Sequence, residues 1–552
     1  MAGPGVRRSR RWFLKSVGLG AAVAAGGGPA GLLTKEVLAG SAEATAVGAA
    51  GSSTNFGRIF PNLPPFFNAL HPSGATDSLR AALTDIGKPG GLLDANDQLS
   101  AGPIALITNP AVNGNNPPTN PDNPTHTAGT TFFGQFLDHD MTFDAGSTLG
   151  VPTSPFTALN SRNPYFDLDS VYGQGPVATP QFYNPADFAK LNIGFGGIFE
   201  DLPRDANNTA IIPEFRNDEN MMIAGLHCAF ILFHNHAVDY ARSAENLTDP
   251  AAVFQEAKRL TLWHYHWLIL NELLPLFIGP AMLSDILTNG PMFYKPALGQ
   301  AVMPVEFQGA CYRFGHSMVR PSYRANLKGD NGNPFFGLVF DPQIGNPIYP
   351  ALTDPGDLRG GFRAPRRFIG WQTFFDFADG QIKRNKQIDA KISTPLFQLP
   401  LGTIPTHQAP IALPQRNLLR QVTWSMPAGQ DVARVMDAEP LTPNDLSELK
   451  AYGLGLEKST PLWYYAIKEA GLVPCTDVGK STGGFHLGPV GGRIVGEVMV
   501  GLLKSDPNSW VYSQPGWTPT LQNPGPGFKV VDFLTFAGVD PATRHAEQPN
   551  FA

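Results

Sequence analysis

The sequence predicts a mainly α fold, one large helical domain with little β structure. Three observations predict it. Apolar residues recur at helical spacing over residues 131–143, 219–243, 252–277, 304–318, 443–453 and 491–503. Strand-like alternation is scarce. After residue 52 the chain shows neither a fixed-period repeat nor a charged or Ser-rich linker that would divide it. With 552 residues, 42% of them apolar, such a body is large enough to enclose a deep pocket.

Residues 1–50 read as an address and a linker rather than as part of that body. Ser9, Arg10, Arg11, Trp12, Phe13, Leu14 and Lys15 lead into a Gly- and Ala-rich, weakly apolar stretch ending near Leu38, which resembles a twin-arginine export signal. The glycines and Pro29 make residues 17–33 a poor membrane span. Small-residue cleavage sites at 42–44 and 44–46 place the mature start near 45–51. The expectation is an exported chain, periplasmic or extracellular, that uses the twin-arginine machinery and keeps no stable membrane span after the signal is removed.

Composition narrows the partners. The formal charge of −6, with only short basic runs after the first fifteen positions, gives no footprint for nucleic acid, so a small molecule is the better partner. Cys228, Cys311 and Cys475 lie far apart without a C-x-x-C, which argues against a disulfide framework or a thiolate metal cluster. Redox chemistry would then require a cofactor.

Residues 51–130 are rich in Pro, Asn and Gly, with one helix-like patch at 78–84, and read as an arm wrapped over the body. The helix that follows, 131–143, carries Gln135, Asp138 and His139 at i, i+3 and i+4, on one face. Phe132, Phe133, Phe136 and Leu137 are apolar enough to bury it, which favours a neutral imidazole able to accept a proton. Asp140 points about 100° away and must serve another partner.

Residues 163–173 carry oxygen-bearing side chains at Asn163, Tyr165, Asp167 and Asp169, alternate positions that face one side of an extended segment. Joined by Asp140 and backbone carbonyls they would form an oxygen-only shell suited to Ca²⁺; a solvated acidic turn is the plainer reading. Arg216 and Glu219 share a helical face, where they could form no more than a local ion pair. The close pairs His234 and His236, and His264 and His266, point about 200° apart on a helix and cannot share a metal.

The run GQFLDHD at 134–140 resembles the distal motif of the animal-type haem peroxidases, in the peroxidase and cyclooxygenase superfamily, through seven consecutive positions. The resemblance implies a single haem-peroxidase domain over 51–552, of the kind found in the family's exported bacterial members. It implies that His139 is the distal acid-base with Gln135 beside it, that Asp138 forms an ester with haem b, and that Asp140 binds calcium. The segment from Arg216 to Glu219 resembles the family's R-x-x-E, so Arg216 would face the peroxide and Glu219 would form the second ester; Asn220 excludes a methionine sulfonium link. The calcium loop keeps the aromatic Tyr165, Asp167 and the V-Y-G at 171–173, while Asn163 and Asp169 stand where the family has Thr and Ser.

Residues 311–321 resemble the proximal segment R-[FY]-G-H, which makes His316 the iron ligand and Arg313 a haem neighbour. The run at 416–420 resembles N-x-x-R, in which Asn417 accepts the proximal imidazole N–H and Arg420 adjoins the haem, although Gln421, Val422 and Thr423 depart from the usual continuation. Similarity to the family's bacterial members extends through 483–498 and 515–520. The implied activity is oxidation of halide, pseudohalide or small aromatic donors by hydrogen peroxide. Two alternatives stand beside it. A fatty-acid dioxygenase of the cyclooxygenase branch needs a radical-forming Tyr three residues before the proximal His, where this chain has Arg313, and Tyr312 one step earlier is expected to point elsewhere. A non-catalytic secreted haem-binding or adhesion protein would have lost His139 or Arg216, and neither is lost.

Overall fold

The computed structural model describes residues 54–68, 74–344 and 353–547. The expected export signal at 1–50 lies outside these residues. The fold is mainly α, and its sheets among the described residues are all two-stranded.

Helix α1 (Asp77–Ile86) starts where the Thr76 side chain accepts the Leu79 amide at 3.2 Å, and it buries Leu79, Ala82, Leu83 and Ile86 at helical spacing. The arm around it is stitched into the body rather than laid over it. Phe56, Phe60, Phe66 and Phe67 are buried, and the amides of Ile59 and Phe60 donate to the carboxylate of Glu306 at 3.0 and 3.2 Å. Aromatic burial at these four positions explains why the arm is ordered despite its Pro- and Gly-rich composition.

Helix α2 (Ala128–Met141) is buried on nearly every side. Gly129 is required there, because a Cβ would come within 2.4 Å of the Phe375 ring. Helix α3 (Met221–Ser243) is capped by the Asn220 side chain, which accepts from the Ile223 amide. It is long and apolar enough to cross a membrane, but 78% of its most apolar window is buried inside the protein, as in a core helix. It packs against α2 and α4 (Pro250–Leu268), whose N-terminus is fixed by Asp249 and by Pro250 in the first turn. Beyond Leu268 the chain passes through a π turn into Leu274–Ile278, so the helical stretch expected at 252–277 is present with one change of pitch.

The stretch 304–318, expected as one helix, is three short turns instead: Val305–Gln308, Cys311–Phe314 and Gly315–Met318. Ala310 leaves helical geometry at φ −134°, ψ −79°, and at Gly309 a Cβ would meet the Val305 carbonyl at 2.7 Å. The hairpin of β1 (Ser322–Asp330) and β2 (Asn333–Leu338) follows; it turns on Asn331 and Gly332, both left-handed. Helices α5 (Leu413–Thr423) and α6 (Leu462–Leu472) were not singled out by periodicity, α7 (Pro489–Ser505) was, and the expected helix at 443–453 is a 3₁₀ turn over Ser447–Tyr452.

Candidate active site and cation cluster

One cavity is lined by Gln135, Asp138 and His139 from α2, by Arg216 and Glu219 just before α3, by Arg313 and His316 from the broken segment, and by Arg416 and Arg420 from α5. The two imidazoles separated by the sequence therefore share one chamber. Its walls are otherwise largely apolar, with Phe132, Phe277, Phe340, Leu396 and Leu399 among them.

His139 is buried, and burial, followed by the nearby Arg216 charge, lowers its pKa to about 3. It is neutral at ordinary pH. Its Nδ1 lies 2.9 Å from Asn217 Oδ1, an atom that only accepts, so Nδ1 carries the proton and Nε2 keeps its lone pair. The amide of Asn217 is oriented in turn by donating to Nδ1 of His227 at 3.0 Å. Burial holds His227 at about 3 as well, so that ring can accept.

Arg216 is clamped. Its Nε donates to Glu214 Oε1 at 2.9 Å, and its Nη2 donates to Glu214 Oε2, the His139 carbonyl and the Thr142 carbonyl at 2.8, 3.1 and 2.9 Å. Phe143 stacks under the guanidinium, 4.7 Å from the ring centre. Among the described residues Nη1 makes no hydrogen bond, and Asp138 Oδ2 is 3.9 Å away from it. Burial raises the Glu214 carboxyl, but Arg216 and Arg162 outweigh this and hold it well below the usual carboxylate range. Sequence reasoning missed both Glu214 and Asn217: Asn217 meets His139 only through a tertiary contact, and Glu214 grips Arg216 at i+2, a spacing that helical periodicity does not flag.

Glu219 behaves oppositely: burial, only partly opposed by Arg216, pushes its carboxyl up to about 8. Its Oε1 accepts from the Gln135 amide and lies 3.8 Å from His139 Nε2. With the acid protonated and the imidazole neutral, that contact is not an ion pair. Burial also raises Asp138, against Arg313 and Arg216. Gln135 thus holds Glu219, while its own carbonyl accepts from Asn220 at 3.4 Å.

The amide of Asn417 lies 2.7 Å from His316 Nδ1, and with its nitrogen turned to the ring its Oδ1 is buried without a partner. Turning the amide over lets Oδ1 accept the Nδ1 proton and leaves Nε2 as a free lone pair, the atom a haem iron requires. Burial, then Arg313 and Arg420, keeps His316 neutral with a pKa of about 3. Arg313 is held near 9 by burial and by Arg420, its Nε has no partner, and Arg416 is held near 10. Arg420 reaches Asp144 at 3.2 Å. Three guanidinium groups with so little carboxylate beside them fit the two propionates of a haem, so the chamber suits the group in charge. Tyr312 lines this cavity, contrary to expectation, because the 3₁₀ turn of Cys311–Phe314 swings it inward; its hydroxyl donates to the Gly134 carbonyl at 3.1 Å.

Asp140, Asp167 and Asp169 bring carboxylate oxygens within 4.8 Å of one another. Asp140 accepts from the Leu168 amide and from the Ser170 and Tyr265 hydroxyls. Burial and mutual repulsion raise Asp140 strongly and Asp169 to about 7. The segment is not extended as expected: it bends, with Leu168 left-handed at φ 55°, and the bend gathers the acids. Asn163 turns its amide to Asp167 at 2.6 Å. The Tyr165 hydroxyl is directed away, to Ser505 and Ala301, so only its backbone carbonyl is available. Arg162, unforeseen, donates to Asp169 at 3.1 Å. The paired histidines are structural, as read: His234 bonds Tyr172 and Ala189, His236 bonds Phe536, His264 bonds Leu260 and His266 bonds Phe166.

A family model described as animal haem peroxidase matches residues 146–343, which include Arg216, Glu219 and His316 and begin just after His139. A peroxidase-like protein of Margaritifera margaritifera is 26% identical over 179 residues, 30% of this chain, and the chorion peroxidase of Aedes aegypti is 24% identical over 174 residues, 29% of this chain. Each match spans 22% of the relative's own length. Among solved structures, peroxidase A of Dictyostelium discoideum superposes with a TM-score of 0.56 at 16% identity, over 84% of this chain and 89% of the other. A fatty acid alpha-dioxygenase of Arabidopsis thaliana superposes with a TM-score of 0.52 at 15% identity, over 89% and 76%. At these identities the likeness is one of fold.

Proposed function

We propose that the chain is a member of the peroxidase and cyclooxygenase superfamily, on its animal haem peroxidase side, and that it is an exported peroxidase that binds haem b, reduces hydrogen peroxide and oxidises a small donor such as a halide, a pseudohalide or a phenol. One observation carries the reading: His139 and His316 line the same buried cavity, each neutral and each hydrogen-bonded through Nδ1 to an asparagine.

His316 Nε2, with Arg313 and Arg420, would hold a haem, which when bound would supply the redox chemistry that accepts the two oxidising equivalents of the peroxide. The chain supplies the proton and charge management. His139 Nε2 takes the proton of the near peroxide oxygen and returns it to the far oxygen, which leaves as water. Arg216, its other edges fixed, directs Nη1 at the charge growing on the leaving oxygen. Asp138 and Glu219, whose charge the cavity disfavours, are suited to ester links that abolish it. Asp140, on the helix of His139, joins Asp167 and Asp169 in holding Ca²⁺.

A dioxygenase is the second reading, favoured by Tyr312 in the cavity. Against it, the position three before His316 is Arg313, and the Tyr312 hydroxyl is tied to a carbonyl. Oxygen uptake with linoleate and no peroxide distinguishes the two. The peroxidase reading is tested by the absorption spectrum of the purified mature chain and by guaiacol oxidation. A Soret band and peroxide-dependent turnover are expected, and His139→Ala should lower turnover by roughly a hundredfold or more. Unchanged turnover in that variant removes the mechanism.

A further inference from the structure

We propose that Glu214 and Arg162 are positioning residues for Arg216, forming a buried ladder that links the aim of that guanidinium to the Asp140–Asp167–Asp169 cluster. The inference rests on the peroxidase reading above. Glu214 is fully buried, and Arg162 and Arg216 are 3% and 8% exposed, so water cannot substitute for any rung. Glu214 Oε1 accepts the backbone amide and the Nε of Arg216, both at 2.9 Å, and Oε2 accepts Arg216 Nη2 at 2.8 Å. On its other side Oε2 lies 2.8 Å from Arg162 Nε and 2.6 Å from Arg162 Nη2. Arg162 then donates through Nη2 to the Pro213 carbonyl and through Nη1 to Asp169 Oδ1, each at 3.1 Å.

A charge pair alone would need one arginine. Here a planar carboxylate is gripped from both sides by planar guanidinium groups, which fixes the rotation of Arg216 as well as its place, and leaves Nη1 as its unbonded edge among the described residues. The cluster at the far end contains Asp140, the neighbour of His139 on α2. The base reaches the cluster through its helix and the guanidinium reaches it through the ladder, so both members of the peroxide-handling pair are referenced to the same carboxylates.

The test uses the haem-loaded chain and separates two rates, reaction with limiting peroxide and donor oxidation at saturating peroxide. Glu214→Gln should lower the first by tenfold or more and leave the second within twofold, and Glu214→Asp should restore the first to within threefold of the original. A peroxide rate within twofold of the original in Glu214→Gln, both rates falling together, or no recovery in Glu214→Asp overturns the proposal. If Glu214→Gln does not fold, the paired Arg162→Met and Glu214→Gln variant is measured by the same criterion. Asp169→Asn should reproduce part of the peroxide loss and add nothing to Arg162→Met; no loss, or additive losses, breaks the link to the cluster. A parent chain without haem or peroxide turnover defeats the functional reading instead, so the two failures are told apart.

Discussion

The side-chain amide of Asn417 lies 2.7 Å from Nδ1 of His316 across 101 residues of sequence, and of the two it is His316 that lines the cavity. This contact fixes the ring's tautomer and rotation before any iron is bound. Asn417→Leu, close in volume but without an acceptor, should weaken haem binding or turnover by about 10- to 100-fold, the range found when a partner behind a metal ligand is lost. Titration of the haem-free variant with haem, followed at the Soret band, measures it. Affinity and turnover equal to the parent would mean that the amide does not tune His316.

Asn217 has the corresponding place behind His139. Asn217→Leu would release Nδ1 and let the ring adopt the other tautomer, with its proton on Nε2 and no base facing the cavity. The expected loss in the peroxide step is tenfold or more, approaching the roughly hundredfold scale of removing a general acid-base. Asn217→Asp should instead raise the imidazole pKa and give the peroxide rate a new loss toward acid. A Leu variant as fast as the parent would show that the tautomer is set elsewhere.

Which parts of this arrangement are legible in sequence follows from how each residue finds its partner. Gln135, Asp138 and His139 lie within one turn, so helical spacing alone put them on one face, and the structure finds all three in the cavity. Asn217 meets His139 across 78 residues and Arg162 meets Glu214 across 52, contacts for which no local period exists, while Glu214 grips Arg216 at i+2, a spacing no helical face shares. The break at Gly309 and Ala310 hid in a run whose apolar spacing is helical, so Tyr312 was placed on the wrong side. The bend at Leu168 was likewise invisible, and with it the outward turn of Tyr165.

The pH dependence follows from buried neutral histidines. His126, His139 and His227 are held near 3, and His234, His264 and His266 near 4, in each case chiefly by burial. In the unfolded chain each titrates near 6.5. Between about pH 6.5 and 4 the unfolded chain therefore binds protons at these rings that the folded chain refuses, and the histidine share of stability falls as the pH is lowered through that window. Each group contributes up to about 1.4 kcal/mol per unit of depression. The raised carboxyls of Glu219 and Asp169 pull the other way over the same window, so the histidine share is read ring by ring: in the folded protein the ring signals of these histidines should not titrate above about pH 4, and a ring titrating near 6.5 contradicts the burial. While the fold persists, the peroxide rate should show no loss near pH 6.5, since His139 is already neutral there.

The carboxylate cluster makes a prediction about cations. Asp140, Asp167 and Asp169 repel one another in a buried setting, and Arg162 compensates only part of their charge. Ca²⁺ should raise the thermal midpoint, by an amount equivalent to about 2.7 kcal/mol at a hundredfold excess over its dissociation constant, and chelation should lower it. Asp167→Asn should abolish the response. A midpoint indifferent to both Ca²⁺ and chelator would leave the cluster as an internal charge network with Arg162 and Lys258 as its counterions.

The proposed haem links rest on two carboxyls whose ionisation the cavity disfavours. Burial raises Asp138, and it raises Glu219 to about 8, so at pH 7 Glu219 is largely the neutral acid. An ester removes the buried charge permanently, whereas an unlinked carboxylate would need a cation, and the one nearest Asp138, Arg216 Nη1, stands off at 3.9 Å. The denatured chain should therefore carry the haem mass after peroxide treatment. Asp138→Asn and Glu219→Gln should each leave a single link, and the pair together should release the haem to organic solvent. Haem fully extractable from the peroxide-treated parent would mean that the two acids serve only as neutral hydrogen-bonding groups beside it, with Gln135 holding Glu219 in that role.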